Sequence, residues 1–92
     1  MRVRLFIKRY CPWCHEAIAW LNRHGIQHEV LDVHADERAY DEMIRLSGQT
    51  SAPVIEVDGK VLADFGAAEI ARWWPREIGP LESNRQEPVG RP

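Results

Sequence analysis

No apolar run in this chain approaches the ~20 residues needed to cross a bilayer. Charge of one sign is equally scarce. The formal net charge of −2 gives no electrostatic reason to expect nucleic acid or an anionic membrane as a partner. Met1-Arg2-Val3-Arg4-Leu5-Phe6-Ile7-Lys8 lacks the long apolar stretch and small-residue cleavage site of a secretory signal, and reads instead as a first strand. A cytoplasmic setting is therefore expected. At 92 residues, 45% of them apolar and 28% charged, the chain supports one modest core and not two. Cysteine is the most telling scarcity: the chain has two, and both stand in Cys11-Pro12-Trp13-Cys14. Neither is spent on a distant structural bridge. In a reducing compartment such a pair points to redox catalysis or metal binding.

What is present orders itself around that turn. Val3, Leu5 and Ile7 alternate with Arg4 and Phe6, which predicts a short strand with one apolar face. Pro12 suits the first turn of a helix, where its missing N–H is no loss. Ala17, Ile18 and Leu21 give that helix a core-facing stripe, and Gly25 suits its end. Residues 28–33 carry Val30, Leu31 and Val33 in a second strand. Tyr40, Met43, Ile44 and Ser47 share one face of a second helix, ended by Gly48. Val54-Ile55-Glu56-Val57, Asp58-Gly59 and Lys60-Val61-Leu62 predict a β-hairpin on a turn dipeptide suited to a two-residue loop. Ala67, Ile70, Ala71 and Trp74 form the stripe of a last helix, expected to stop at Pro75. Trp74 falls on the core side and Trp73 beside it. The order is β-α-β-α-β-β-α, with the first two strands parallel, the hairpin antiparallel beside them, and helices on both sheet faces. From Arg76 onward Gly, Pro and polar residues dominate, with Ile78 and Leu81 able to dock locally.

Thiolate, not thiol, attacks a disulfide. A cysteine at the start of a helix faces unpaired backbone N–H groups and the positive end of the helix dipole. Lys8 and Arg9 add positive charge, so Cys11 is the expected nucleophile. Cys14, one turn further in, is shielded and placed to resolve a mixed disulfide by attacking Cys11. Pro12 stiffens the turn, and Trp13 presents a flat apolar surface beside the sulfurs. Zinc is disfavoured because a structural site wants four ligands, and only His15, His24, His28 and His34 could add to the pair. Cys11-Pro12-Trp13-Cys14-His15 also fits the haem-attachment pattern, but that reading predicts a mostly helical protein and offers only Met43 as internal methionine. His15 is expected to face solvent. Pro53 stands where the third strand begins, a position that tolerates proline.

Lys8, Cys11-Pro12-Trp13-Cys14, Glu42-Met43-Ile44 with Ser47-Gly48, Ser51-Ala52-Pro53 and Asp58-Gly59-Lys60 together resemble the glutaredoxins over about residues 1–75. The resemblance implies an α/β thioredoxin-like (glutaredoxin) fold, a four-stranded mixed sheet flanked by three helices. Residues 1–75 would be the domain and 76–92 a Pro/Gly-rich polar tail. It further implies that Pro53 is cis and packs against the Cys11–Cys14 turn, and that the Ala52 backbone pairs with the peptide part of glutathione. Lys8 and Gln49 would hold the glycyl carboxylate, with Asp64 and Phe65 at the far end of the same tripeptide. The implied activity is glutathione-dependent thiol–disulfide exchange on protein disulfides or glutathione mixed disulfides. Glutathione is then the co-substrate, no metal is expected, and the protein is a monomer.

Two departures open alternatives. Glutaredoxins commonly follow the hairpin with Gly-Gly and a Ser/Cys-Asp-Asp run, whose acid grips the γ-glutamyl amine. Here the stretch is Leu62-Ala63-Asp64-Phe65-Gly66-Ala67, with its acid two positions early. The stretch around Ala63-Asp64-Phe65 is also similar to the N-terminal domain of glutathione S-transferases, where an acid at the Asp64 position lies in the γ-glutamyl subsite. Asp64-Phe65 and the Ile70…Arg72…Pro75 pattern are similar to the redoxins that serve ribonucleotide reductase. Those proteins are recharged by thioredoxin reductase. Some glutaredoxins instead hold an iron–sulfur cluster, which bulky Trp13 disfavours here.

Overall fold

The computed structural model describes residues 1–81. The elements run β1 (Val3–Ile7), α1 (Pro12–Arg23), β2 (Glu29–Asp32), α2 (Glu37–Ser47), β3 (Val54–Val57), β4 (Lys60–Ala63) and α3 (Ala67–Glu77). This is the expected order. The strands form one four-stranded sheet in the order β2-β1-β3-β4. β1 lies parallel to β2, because a helical crossover joins them, and antiparallel to β3, which closes the hairpin with β4. The sheet is mixed and the fold is thioredoxin-like.

Alternation along β1 sends its side chains to two separate cores. Val3 and Leu5 face α1 and α3, where Trp20, Leu21, Ile55, Val57, Ile70 and Trp74 are buried with them. The opposite face, also expected to carry a helix, buries Phe6 with Val33, Ala39, Met43 and Val54 under α2. Arg4 shares that second face and keeps its charge paired. Its guanidinium donates to Glu56 at 2.8 Å and Glu42 at 3.1 Å, and lies 5.4 Å from the Phe6 ring centre. Within the helices the buried positions differ from the expected stripes. Trp20 joins Ala17 and Leu21 inside, while Ala39, rather than Tyr40 or Ile44, is buried with Met43. Val30 is exposed on the edge strand β2, at the margin of the α1–α3 face.

Helix ends follow local chemistry. Asp36 accepts from the Arg38 N–H at 3.0 Å to start α2, and Gly48 ends it in the left-handed conformation at φ 72°. Pro75 does not stop α3, which runs on to Glu77. A proline so near the C-terminal end removes one hydrogen bond, from the exposed side of the helix, and the ladder resumes with Ile78 N–H donating to Trp74 O at 2.8 Å. Ile78 and Leu81 pack on the α1–α3 core, which rewards the extra turn. The remainder of the expected tail, residues 82–92, lies outside the described residues. Among the described residues no helix is long and apolar enough to cross a membrane.

Candidate functional site

Cys11 is the N-cap of α1, with extended backbone (φ −112°, ψ 107°) and Pro12 at the first helical position. That geometry turns its sulfur back over the helix end, where Sγ accepts the backbone N–H of Cys14 at 3.2 Å. The carbonyl of Cys11 accepts from Cys14 and His15. One orphan donor of the helix start is thus aimed at the sulfur, and a charged acceptor gains most from such a bond. Cys11 is partly exposed and Cys14 is buried; both are free thiols. Burial above all pushes the Cys14 thiol up to about 12, with its hydrogen bond to Cys11 and the Cys11 charge adding to the rise. A backbone hydrogen bond from Lys8 and the Lys8 charge pull the other way. The pair is therefore asymmetric: one sulfur open to attack, the other held protonated behind it. Trp13 is 57% exposed and His15 also faces solvent.

The strand register gathers the other expected residues at the same end of the sheet. Val54 stands opposite Phe6, so Ala52 and Pro53 lie where β1 runs into the Cys11 turn. The Ala52–Pro53 bond is cis, and Pro53 is fully buried. Its carbonyl accepts the Asp64 N–H at 2.8 Å, which ties the loop after β4 to the same corner. Asp64 itself is exposed, with φ 54°, while Phe65 is buried in the α1–α3 core. Gln49 sits in the loop before Ser51, but its side chain is occupied there. The amide nitrogen donates to Ser47 Oγ and Ser51 O, and its oxygen accepts the Ser51 N–H at 2.6 Å. Arg9, expected to add charge beside the thiol, reaches Asp32 at 3.5 Å.

The start of α3 supplies partners that no sequence signal announced. Trp13 packs on Gly66 so closely that a Cβ there would stand 3.1 Å from the indole ring. The Gly66 N–H donates to Glu69 Oε1 at 2.8 Å, half of a capping box, since Gly66 has no side chain to return the bond. The Ala67 N–H donates to Glu16 Oε1 of α1 at 3.3 Å. Trp13, Asp64, Phe65, Gly66 and Glu69 enclose a cleft of about 280 Å³ beside the thiol turn. Tyr10, immediately before Cys11, was also missed. It is 90% exposed and left-handed at φ 61°.

A thioredoxin-like sheet that presents a partly exposed N-cap cysteine, a buried partner one turn on and a cis proline at the same corner defines the class: a thiol–disulfide redox domain. The family model for glutaredoxin matches residues 3–62, and the chain belongs to the glutaredoxin family. A glutaredoxin-like 8.6 kDa protein of Clostridium pasteurianum is 32% identical over 68 residues, which cover 74% of this chain and 91% of that protein. Glutaredoxin 3 of Escherichia coli is 34% identical over 58 residues, covering 63% of this chain and 70% of that one. Among solved structures, a glutaredoxin of Archaeoglobus fulgidus superposes with a TM-score of 0.69 at 20% identity, over 77% of this chain and 83% of the other. The glutaredoxin-like NrdH-redoxin of Escherichia coli, described as having a thioredoxin-like activity profile, gives 0.66 at 24% identity, over 78% and 93%. At those identities the likeness is one of fold.

Proposed function

We propose that this protein is a dithiol oxidoreductase that reduces protein disulfides and glutathione mixed disulfides in the cytoplasm. The observation that carries the reading is the Cys14 N–H donated to Cys11 Sγ, with the Cys14 thiol buried one turn behind. The Cys11 thiolate attacks one sulfur of the substrate disulfide. That S–S bond breaks, the other substrate sulfur leaves as thiolate, and a mixed disulfide forms on Cys11. Cys14, once deprotonated, attacks the Cys11 sulfur, releases the second substrate thiol and leaves a Cys11–Cys14 disulfide. The two electrons come from the dithiol, and two molecules of glutathione restore it by the reverse exchange. This reading takes Lys8, Ala52 and Pro53 to flank the path, since Val54 stands opposite Phe6 where β1 leads into the thiol turn, and Asp64 and Phe65 to border it, since both line the cleft with Trp13. A glycyl carboxylate there would meet Lys8 rather than Gln49, whose amide is engaged within its own loop.

A second reading has its own support. The start of α3 carries Gly66-Ala67 where an acid would hold the γ-glutamyl amine, which favours recharging by thioredoxin reductase instead of glutathione. The two separate in an assay of NADPH consumption on a small mixed disulfide. One arm contains glutathione with glutathione reductase, the other thioredoxin reductase alone. Turnover in the first arm only supports the glutathione-dependent reading; turnover in the second only replaces it with the reductase-dependent one. Absence of turnover in both arms overturns the dithiol mechanism itself.

A further inference from the structure

Large apolar side chains are exposed at Met1, Tyr10, Trp13 and Val30 among the described residues. Met1 opens the chain and Val30 lies on the edge strand β2, but the other two belong to the thiol turn. Tyr10 directly precedes Cys11, and Trp13 follows it after Pro12. The two rings are held differently. Trp13 rests on Gly66, where a Cβ would stand 3.1 Å from the indole, and it is still exposed on its other side. Tyr10 stands almost wholly in solvent, left-handed at φ 61°, a conformation that glycine or asparagine adopts at far less cost. Arg9, the cation next to it in the chain, is paired with Asp32 at 3.5 Å. Neither core packing nor backbone preference accounts for an aromatic ring at this position, and an unexplained outlier of this kind points to contact with something outside the chain.

The occupant follows from the neighbour that the two rings share. A disulfide reacts only when one of its sulfurs reaches Cys11 Sγ, which is partly exposed at the N-cap of α1. A polypeptide disulfide carries in the residues beside its cysteine, and Tyr10 and Trp13 are the exposed apolar groups closest to Cys11 in the chain. A small disulfide brings no such residues. We propose that Tyr10 is a specificity-determining residue: with Trp13 it forms a docking surface for polypeptide disulfides that carry an apolar side chain beside the cysteine. A tyrosine ring offers a large contact area at a low cost in conformational freedom, and the indole fixed on Gly66 adds a second surface. The proposal rests on the thiol–disulfide exchange reading but not on which donor recharges the protein.

The test oxidises the fully reduced protein with three disulfides. One is a short end-capped peptide disulfide with leucine on each side of its cysteine, the second has serine in those places, and the third is bis(2-hydroxyethyl) disulfide. Second-order rate constants for the two peptides are expressed relative to the third. The wild-type protein should prefer the leucine peptide. Tyr10→Asn removes the ring with a residue suited to the left-handed backbone, and since the ring lies in solvent the core is untouched. The leucine ratio should then fall about fivefold, the scale of one aromatic contact, while the serine ratio holds. Tyr10→Phe keeps the ring and should keep the wild-type ratios. An unchanged leucine ratio in Tyr10→Asn overturns the proposal. An equal fall in both ratios overturns it too, because the apolar neighbour would then be irrelevant. A fall in Tyr10→Phe as large as in Tyr10→Asn also overturns it, by assigning the effect to the hydroxyl. Fast reaction of the wild-type protein with no preference for leucine overturns this proposal alone. If the wild-type protein reacts with none of the three faster than free cysteine does, the exchange reading fails and takes the proposal with it.

Discussion

Both ends of the sheet place left-handed backbone on an aspartate, but the second residue differs: glycine at one end, tyrosine at the other. At the hairpin end it falls on Asp58 (φ 49°) and Gly59 (φ 93°), which tolerate it well. The surroundings there are fully bonded: Arg2 N–H donates to Asp58 Oδ1, Asp58 N–H to Arg2 O, and Gly59 N–H to Glu56 Oε2. At the thiol end it falls on Tyr10 (φ 61°) and Asp64 (φ 54°), one on each side of the cysteine turn. Tyrosine is a poor choice for that conformation, and this one leaves its ring in solvent beside Cys11. The hairpin end is built to fix register. The thiol end accepts left-handed backbone on a tyrosine and leaves aromatic surface exposed.

The largest expected effect that separates the two ends is chemical. Cys11→Ser should reduce turnover to background with every disulfide. Cys14→Ser should spare the reduction of glutathione mixed disulfides and lose that of protein disulfides, with a trapped Cys11 adduct visible by mass spectrometry. Loss of both activities in Cys14→Ser would sink the assignment of Cys11 as sole attacking group. Next comes Gly59→Val at the hairpin. Nothing beyond its chain neighbours lies within 4 Å of a Cβ there, so the cost is chiefly backbone, about 1–2 kcal/mol, read from urea unfolding. Its activity per folded molecule should equal that of the wild type. Tyr10→Gly reverses the pattern. Relief at φ 61° and the greater freedom of the unfolded chain nearly cancel, so stability should stay within about 1 kcal/mol. Reduction of a polypeptide disulfide should fall several-fold; a variant as active as the wild type would remove Tyr10 from the docking surface.

Smaller effects sharpen the picture further. The raised Cys14 value makes the folded state hold its proton more tightly than the unfolded chain does. That contribution is complete below about pH 9 and is lost as pH climbs toward about 12, so the reduced protein should weaken across this window. Cys14→Ser should flatten the decline in a pH series of unfolding curves; an equally steep fall would show that another group is responsible. Smallest is Gly66→Ala, whose methyl would press on the Trp13 ring at 3.1 Å and shift it by a few tenths of an ångström. Acrylamide quenching of the exposed indole should increase slightly, with little change in stability.

Much of this was legible in the residues, where local chemistry decides. Cys11-Pro12-Trp13-Cys14, the Asp58-Gly59 turn, the Gly48 stop and a proline at the head of β3 act through their own backbone preferences. The element order followed from them. Burial was harder to read. Helices on both sheet faces were expected, but the alternation in β1 marked only one face as apolar, and Phe6, interleaved with Arg4, gave no sign of its own burial under α2. Trp20 was passed over beside Ile18, and Pro75 looked like a terminator because its docking successors, Ile78 and Leu81, act from outside the helix. The α3 contacts were out of reach altogether. Glu16 and Ala67 are 51 residues apart, and no local pattern links them.

The coupling between the two sulfurs has a consequence for the order of events. Burial does most to keep Cys14 protonated, and a thiolate on Cys11 would add to it. Once Cys11 is tied into a mixed disulfide that charge is gone, while the pull of Lys8 persists. In the proposed exchange the second thiol thus becomes easier to ionise once the first bond has formed. On that reading the pair is an interlock without a moving part: the first bond made is itself the signal that arms the second sulfur.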